Sequence, residues 1–148
     1  MFKRRWLDLK PKIILLNLDV KKDDRGVLAE ISPVLKNRLK HMFMATILPG
    51  KTRGNHYHKH KTEWILVLEG KVLVTLVDAK NKKQNQIELT GLTPQLLEVV
   101  PHTSVKISNH TKRKAIILVI VDEAFNLHDP DVWQLTLSYS TPSLKDDP

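Results

Sequence analysis

The amino-acid sequence predicts an all-β protein whose strands form a sandwich or a barrel. Six runs of apolar and β-branched residues follow one another along 148 residues, and clusters of turn-forming residues separate them. Short strands at regular spacing, with turns between them, are typical of these two architectures. Residues 72–77 are apolar on both faces of the pleat, which indicates a strand that is covered on both sides.

The predicted elements follow from the alternation of these two kinds of segment. Isoleucine, leucine, valine and methionine favour strands, whereas glycine, proline, asparagine and aspartate favour turns. One short helical turn is predicted after Pro33, and Met42, Phe43 and Met44 are predicted to lie in the strand core and in an interface. The strands are expected at residues 13–20, 41–48, 63–70, 71–78, 96–100 and 115–122, with turns at 21–26, 48–54, 78–85, 89–94 and 108–114.

Length and composition predict a single globular domain. A chain of 148 residues can bury a sizeable core, and its apolar share of 41% and charged share of 27% are ordinary. No apolar run approaches the roughly 20 residues that cross a bilayer, so no membrane partner is expected. Asn17 and Asp19 interrupt the first apolar run, which argues against a secretory signal. The chain has no cysteine, which excludes thiolate metal ligands, and we expect a cytoplasmic protein.

The formal net charge of +8 narrows the class of ligand. Nucleic-acid binding usually needs a basic stripe on a helix, or aromatic residues interleaved with basic ones on a sheet. Here the lysines are scattered among turns and aromatic residues make up only 5%, so we expect no nucleic-acid partner. The charge then indicates either a solvated basic surface or attraction of a small anionic ligand such as a sugar nucleotide.

Three histidines within five residues form the most distinctive cluster of the sequence. His56 and His58 lie two apart, and on a strand that spacing places both side chains on one face. Glu63 follows after a short polar break and begins the next predicted strand. Two imidazoles and a carboxylate that converge inside a barrel make a plausible site for a divalent metal. His60 is expected to be an ordinary surface residue.

The spacing around these histidines resembles the first motif of the cupin family. Gly50, His56, His58, Glu63 and Gly70 fill its five defined positions in this sequence. The resemblance implies an antiparallel double-stranded β-helix, the jelly-roll or cupin barrel, with the site in its mouth. It covers a barrel core at about residues 12–125 of a single domain spanning 1–148, and leaves residues 126–148 as a C-terminal extension.

The second motif of the cupin family is incomplete in this sequence. Residues 99–109 resemble it, and Pro101 and Asn109 match. His102 stands where glycine is usual, and Val105 stands where the last histidine ligand is usual. On a strand, His102 would lie on the opposite face from the Val105 position. We therefore expect no metal cofactor, although a three-ligand site for zinc, iron or nickel at His56, His58 and Glu63 stays open.

Further segments resemble one group within the family, the sugar-nucleotide cupins. The strings "DDRGVLAEI" and "TRGNHYH" are similar to segments of dTDP-sugar 3,4-ketoisomerases, of dTDP-4-dehydrorhamnose 3,5-epimerases and of the cupin domain of capsular-polysaccharide reductases. The closing string "VDEAFNLHDPDVW" is similar to the last of these. The resemblance implies a sugar-nucleotide isomerase or epimerase that acts on a keto-deoxysugar in surface-polysaccharide biosynthesis.

The same resemblance implies a role for each candidate residue. His56 would be the base that removes a proton beside the carbonyl, since an imidazole titrates near neutral pH. His58 would be the second acid/base group or the donor to the carbonyl oxygen, and Glu63 would orient an imidazole. Arg53 and Arg25 would bind the diphosphate, unless Arg25 is only a turn ion pair. The epimerases also use a downstream tyrosine, and Tyr139 does not match its place.

Other readings of the sequence stay open. The chain could be a non-catalytic metal- or sugar-binding module, or a metal-dependent enzyme of another chemistry. Cupins of this type commonly form homodimers by exchanging N-terminal strands, and residues 13–20 are the candidate for that exchange. Tyr57 is expected to pack on the other pleat face. Trp6, Trp64 and Trp133 are expected in core or dimer packing rather than in a base-stacking wall.

Overall fold

A computed structural model describes residues 9–135 of the chain. The apolar runs form strands, and one short helix of the described residues, α1 (Ser32–Leu35), begins one residue before Pro33, after which a helical turn is predicted. The strands are β1 (Ile14–Leu16), β2 (Asp19–Asp23), β3 (Gly26–Glu30), β4 (His41–Ile47), β5 (Thr52–Tyr57), β6 (Glu63–Glu69), β7 (Lys71–Asp78), β8 (Gln84–Thr90), β9 (Leu96–Val99), β10 (Thr103–Ser108), β11 (Ala115–Val121) and β12 (Trp133–Gln134).

Two five-stranded antiparallel sheets face each other, and a hairpin lies apart from them. The first sheet has the order β1-β9-β6-β11-β4 and the second has the order β12-β5-β10-β7-β8. Strands β2 and β3 pair only with each other among the described strands. Neighbours within each sheet are mostly distant in sequence, as is usual for a jelly roll. The predicted all-β jelly-roll architecture is confirmed.

The main core lies between the inner faces of the two sheets, where inward-facing aliphatic side chains of both sheets form one buried cluster. A second, smaller cluster covers the outer face of the first sheet, where Trp64 and Ile120 pack beneath Leu35 of α1. The apolar character of β6 and β11 on both pleat faces therefore has a structural reason, because both faces are covered.

The N-terminal apolar run is a partial exception to the strand prediction. Residues 13–20 do not form one strand, because the chain leaves the sheet at Asn17 and Leu18. β1 adds to the edge of the chain's own first sheet by pairing with β9, and β2 belongs to the separate hairpin. The other five predicted runs form β4, β6, β7, β9 and β11.

Five strands lie wholly outside the predicted runs: β3, β5, β8, β10 and β12. Residues 52–54 of β5 fall in a predicted turn, yet β5 pairs with β10 from Thr52 to His56. β8 alternates exposed polar with more buried residues because it forms one edge of the second sheet. Within residues 9–135, no helix is long and apolar enough to cross a membrane.

Candidate functional site

A β-bulge in β5 sets the direction of the candidate site residues. His56 pairs with Val105, and Gly54 pairs with Lys106, so Asn55 is one extra residue in β5. Gly54 has φ 96° and Asn55 has φ 62°, backbone angles that glycine and asparagine tolerate best. A Cβ on Gly54 would lie 2.3 Å from the Val105 carbonyl oxygen, so no other residue fits this position without moving β10.

The bulge brings Arg53 and His56 to the same side of the sheet. Arg53 is opposite Ile107, and His56 is opposite Val105. Ile107 and Val105 both belong to the main core, and residues directly opposite each other share a face. The Arg53 guanidinium donates from Nε to the Thr46 carbonyl oxygen at 2.8 Å on β4. Arg53 therefore reaches across the open side of the barrel on the inner face that carries His56.

His56, His58 and Glu63 converge at the end of the barrel where β5 ends and β6 begins. Their candidate ligand atoms all lie within 4.8 Å of one another. His58 Nε2 is hydrogen-bonded to Glu63 Oε1, and His56 Nε2 lies 3.8 Å from the same oxygen. The His56 side chain is 27% exposed, against 10% for His58 and 8% for Glu63. His56 is thus the member of the group that a ligand can reach.

Electrostatics make His58 and Glu63 an ion pair. Burial alone would raise the pKa of Glu63, but the nearby His56 and His58 imidazoles, the second of them by a hydrogen bond, lower it to about 2. Burial opposes charge on His58 as well, but the Glu63 carboxylate and the Asp131 carbonyl together raise its pKa. His58 Nδ1 donates to the Asp131 carbonyl oxygen, so both of its ring nitrogens face acceptors. This arrangement favours the doubly protonated imidazolium.

Asp131 is an unpredicted residue that fixes this arrangement. Its carboxylate accepts hydrogen bonds from three consecutive backbone N–H groups, those of Lys59 at 2.8 Å, His60 at 2.9 Å and Lys61 at 3.2 Å. Trp133 Nε1 donates to it as well, at 3.2 Å. Asp131 is buried, and these hydrogen bonds outweigh burial and lower its pKa. It thereby holds the loop that follows His58 and the imidazole of His58 itself.

The segment around Asp131 completes the wall of the site. β12 pairs with the end of β5, with Trp133 opposite Tyr57 and Gln134 opposite His56. The Lys59 ammonium lies 3.5 Å from the centre of the Trp133 ring, a cation–π contact. Residues assigned from sequence to an extension beyond the barrel core therefore contact the histidines. The only feature of the sequence that could have linked these residues to the site is the similarity of residues 121–133 to the closing segment of the capsular domain.

The remaining candidates are placed as follows. His60 is exposed, as predicted, and His102 is exposed in a turn with φ 63°, so neither belongs to the His56 group. Val105 is 3% exposed and lies opposite His56, where the motif alignment put it. Arg25 Nη2 lies 2.6 Å from Asp23 Oδ2, and its side chain is 86% exposed. Arg25 thus makes the turn ion pair that stayed open as the alternative, and its phosphate contact stays a prediction.

The aromatic and methionine predictions have mixed outcomes. Trp64 is buried in the outer cluster, as predicted. Met42 and Met44 are not core residues, since 52% and 63% of each is exposed on edge strand β4. Phe43 was assigned to the core or an interface, but it is 43% exposed and points to the inner face. Trp133 is exposed, at 45%, and Trp6 and Tyr139 lie outside the described residues.

The chain is similar in sequence to a polysaccharide-biosynthesis family and to a reductase. A family model described as the polysaccharide biosynthesis C-terminal domain matches residues 21–133. A UDP-2-acetamido-2,6-beta-L-arabino-hexul-4-ose reductase from Pseudomonas aeruginosa is 28% identical over 111 residues, which cover 75% of this chain and 29% of the reductase. This chain therefore spans less than a third of that relative.

Solved structures share the fold at low sequence identity. The capsular polysaccharide assembling protein CapF from Staphylococcus aureus is 23% identical, with a TM-score of 0.64 over 82% of this chain and 33% of CapF. QdtA, a sugar 3,4-ketoisomerase from Thermoanaerobacterium thermosaccharolyticum solved in complex with TDP, is 22% identical, with a TM-score of 0.70 over 81% of this chain and 85% of QdtA. The predicted likeness to sugar-nucleotide cupins is confirmed.

Proposed function

The chain belongs to the family of polysaccharide biosynthesis C-terminal domains, and on that basis we propose that it isomerises or epimerises a nucleotide-linked keto-deoxysugar. The observation that carries the proposal is the convergence of His56, His58 and Glu63 at the open end of the barrel. The TDP complex of QdtA and the sugar-nucleotide name of the reductase support this class of substrate. The product would enter surface-polysaccharide biosynthesis.

His56 acts as the base in the proposed reaction. Its partly exposed ring accepts the proton from the carbon beside the substrate carbonyl, and the electron pair of that C–H bond passes into an enolate. The resulting imidazolium is stabilised by the Glu63 carboxylate, 3.8 Å away in the present geometry. For ketone migration, His56 then returns the proton to the former carbonyl carbon, while the proton of the adjacent hydroxyl passes to the former carbonyl oxygen, so that atoms and charge balance.

His58, which the resemblance implied as the second acid/base group or as the donor to the carbonyl oxygen, is a positioning residue in the proposed reaction. Both of its ring nitrogens are already hydrogen-bonded, one to Glu63 and one to Asp131. It therefore acts on the substrate by way of Glu63, which it keeps ionised and in place. Among residues 9–135, His56 is the accessible base of this group. A single base working on one side of the sugar favours ketone migration over epimerisation.

The test of the proposed function is binding and stabilisation by ligand. A ligand present at one hundred times its Kd stabilises the native state by about 2.7 kcal/mol, which for a protein of this size raises Tm by several degrees. We expect dTDP- or UDP-linked sugars to do so and a neutral hexose not to, since the protein carries a net charge of +8. A shift with the neutral sugar but with neither nucleotide would remove the sugar-nucleotide proposal.

A second candidate function is a non-catalytic sugar-binding module of a larger protein. The observation in its favour is that this chain matches only 29% of the reductase and 33% of CapF, which makes a role as one part of an assembly reasonable. Both candidates predict ligand binding. They differ in whether the protein exchanges a substrate proton with solvent, as tested in the Discussion.

The donor set of the site also fits a divalent metal. His56, His58 and Glu63 would hold it, with the Asp131 carbonyl orienting His58, and a bound metal would supply polarisation of a substrate oxygen. The buried Val105 side chain opposite His56 provides no fourth ligand, and a metal would have to break the His58–Glu63 hydrogen bond. We propose chemistry without a metal.

Elemental analysis of the wild type and of Val105→His tests the metal proposal. We expect well below one equivalent of zinc, iron or nickel in the wild type after dialysis. Val105→His should bind zinc at least about tenfold more tightly, because even outer partners of metal ligands contribute about 10–100-fold. Val105→Leu, which changes volume without adding a ligand, serves as the control. A full equivalent of metal in the wild type would contradict the proposal.

Apolar side chains on the outer surface support a homodimer. Met42 and Met44 are exposed on edge strand β4, and Val20, Val27 and Leu28 are 43%, 51% and 56% exposed on the hairpin of β2 and β3. Exposed edges of this kind are usually covered. We propose that a second copy covers them.

A charged substitution on the edge strand tests the proposed dimer. Met44→Lys should weaken dimerisation at least about tenfold, because the new ammonium would be buried at the interface. Sedimentation equilibrium measures the effect, and Leu92→Lys at an exposed turn is the control. A wild type that is monomeric at all accessible concentrations would exclude the dimer.

A further inference from the structure

A row of three aromatic rings lines the inner face of the first sheet beside the candidate site. His41 and Phe43 belong to β4, and Phe125 follows β11. The ring centroid of His41 lies 5.8 Å from that of Phe43 and 6.4 Å from that of Phe125, within the range of aromatic contacts. We call these three residues the aromatic wall. Sequence analysis did not assign them to the site.

Sheet register shows which way the aromatic wall faces. Val121 pairs with Glu63 on one side and with His41 on the other, and Val119 likewise lies opposite Phe43. Directly opposite residues share a face, and Val119 and Val121 belong to the main core. His41 and Phe43 therefore face the same side as the Glu63 carboxylate, on a row about 10 Å away across two strand spacings.

The aromatic wall is accessible to a ligand, although the rest of the inner face of the first sheet belongs to the buried apolar core. Because β4 is the edge strand of its sheet, Phe43 is 43% exposed, and Phe125 is 59% exposed. A cation from β5 contacts the same strand, since the Arg53 guanidinium donates to the Thr46 carbonyl oxygen, three residues along β4 from Phe43. The open inner face thus offers a flat aromatic surface, a guanidinium and the His56 group together.

We propose that the aromatic wall stacks the nucleobase of the substrate, an inference that rests on the proposed function. In a nucleoside diphosphate sugar the diphosphate separates the base from the sugar. A sugar held at His56 therefore requires a separate surface for the base, with a cation near the phosphates. Arg53 supplies the fork geometry that suits phosphate oxygens. The rings of Phe43 and Phe125 supply π-faces that stack on any base.

The test measures the Kd of UDP and of dTDP for wild type and for Phe43→Ala and Phe125→Ala. Loss of one stacking ring should weaken binding of both nucleotides at least about fivefold. Inorganic pyrophosphate, which has no base, should bind wild type and variants within twofold of each other. Leu92→Ala is the control, because Leu92 is 92% exposed in a turn outside the candidate site and the proposed dimer interface.

The possible outcomes are separable. Equal nucleotide affinity of wild type and both phenylalanine variants would overturn the proposal that the aromatic wall stacks the base, and would leave the proposed function intact. Variants that lose only a dimer, seen by sedimentation, with unchanged nucleotide affinity would overturn it too. A wild type that binds pyrophosphate but gains nothing from UDP or dTDP would also overturn it. If wild type binds no nucleotide, the proposed function itself fails, and the wall fails with it.

Discussion

His56→Asn should lower the rate of solvent deuterium exchange into a 4-keto sugar nucleotide by about 10²–10⁴-fold, the usual contribution of a positioned base. Asparagine keeps the approximate size and polarity of the side chain but cannot accept the proton at neutral pH. The His56 ring is partly exposed and its contact with Glu63 is 3.8 Å, so we expect the fold to survive. Mass spectrometry of the recovered sugar nucleotide follows the exchange.

His60→Asn is the matched control for the base, since His60 lies four residues along the chain and is exposed outside the group. Its exchange rate should stay within about twofold of wild type, because it contacts no reacting atom in the proposal. A His56→Asn protein that exchanges at the wild-type rate would remove His56 from the mechanism. A wild type that exchanges no keto sugar nucleotide, while still binding one, would favour the non-catalytic module.

Asp131→Ala should destabilise the protein by about 3 kcal/mol. The substitution removes one carboxylate that accepts from three backbone N–H groups and from Trp133. Each buried donor left without a partner costs about 1–3 kcal/mol, and water can reach part of this loop, which keeps the total below the sum. Asp131 also has φ 47°, a conformation that aspartate and asparagine adopt more readily than alanine. Chemical denaturation gives the free energy of unfolding.

The matched variants separate the carboxylate from general effects of the segment. Asp131→Asn keeps the backbone preference and one acceptor oxygen, so its loss should be smaller than that of alanine. Asp129→Ala changes an exposed carboxylate of the same segment and should stay within about 0.5 kcal/mol of wild type. An Asp131→Ala protein as stable as Asp129→Ala would show that Asp131 does not hold the loop.

The pH dependence of the free energy of unfolding gives a second test of the stabilising role of the Asp131 carboxylate. Its folded pKa lies below the ordinary 3.8, so its contribution to stability is fully present above that value and is lost as pH falls through the folded pKa. Below the pH range in which His58 titrates, the difference in unfolding free energy between wild type and Asp131→Ala should therefore shrink as the pH falls through the folded pKa of Asp131. A difference that grows as the pH falls below 3.8 would contradict this assignment.

Asp131→Ala should also change the environment of His58. The substitution loosens the loop after His58 and the carbonyl group that accepts from the His58 ring, so the nitrogen chemical shifts of this imidazole should report a changed pKa and changed hydrogen bonding. Asp129→Ala should leave these shifts unchanged. Because Asp131 touches no reacting atom in the proposal, it is a positioning residue, and the NMR signature distinguishes that role from a general loss of stability.

Local sequence patterns determined much of this protein. Strands β6, β7 and β11 were predictable because a strand that is buried on both faces needs apolar side chains at nearly every position. The candidate site was predictable where it is compact in sequence: His56, His58 and Glu63 lie within eight residues. Spacing places the two histidines on one strand face, and the resemblance to the cupin motif implied that the group lies in the barrel mouth. Val105 was also placed correctly, opposite His56.

Tertiary structure decided whatever depends on which distant segments pair. The β-bulge at Asn55 puts Arg53 and His56 on one face of the sheet. The two-residue alternation of a strand would place them on opposite faces, and it does not predict where a bulge occurs. Asp131 lies 72 residues from Lys59 in the chain, yet it binds that loop because β12 pairs with β5. The apolar neighbours of Phe43 in the sequence predict a core residue, and only the edge position of β4 exposes it on the inner face that also carries Glu63. Strand order and sheet edges arise from long-range pairing, which a residue's near neighbours in sequence do not encode.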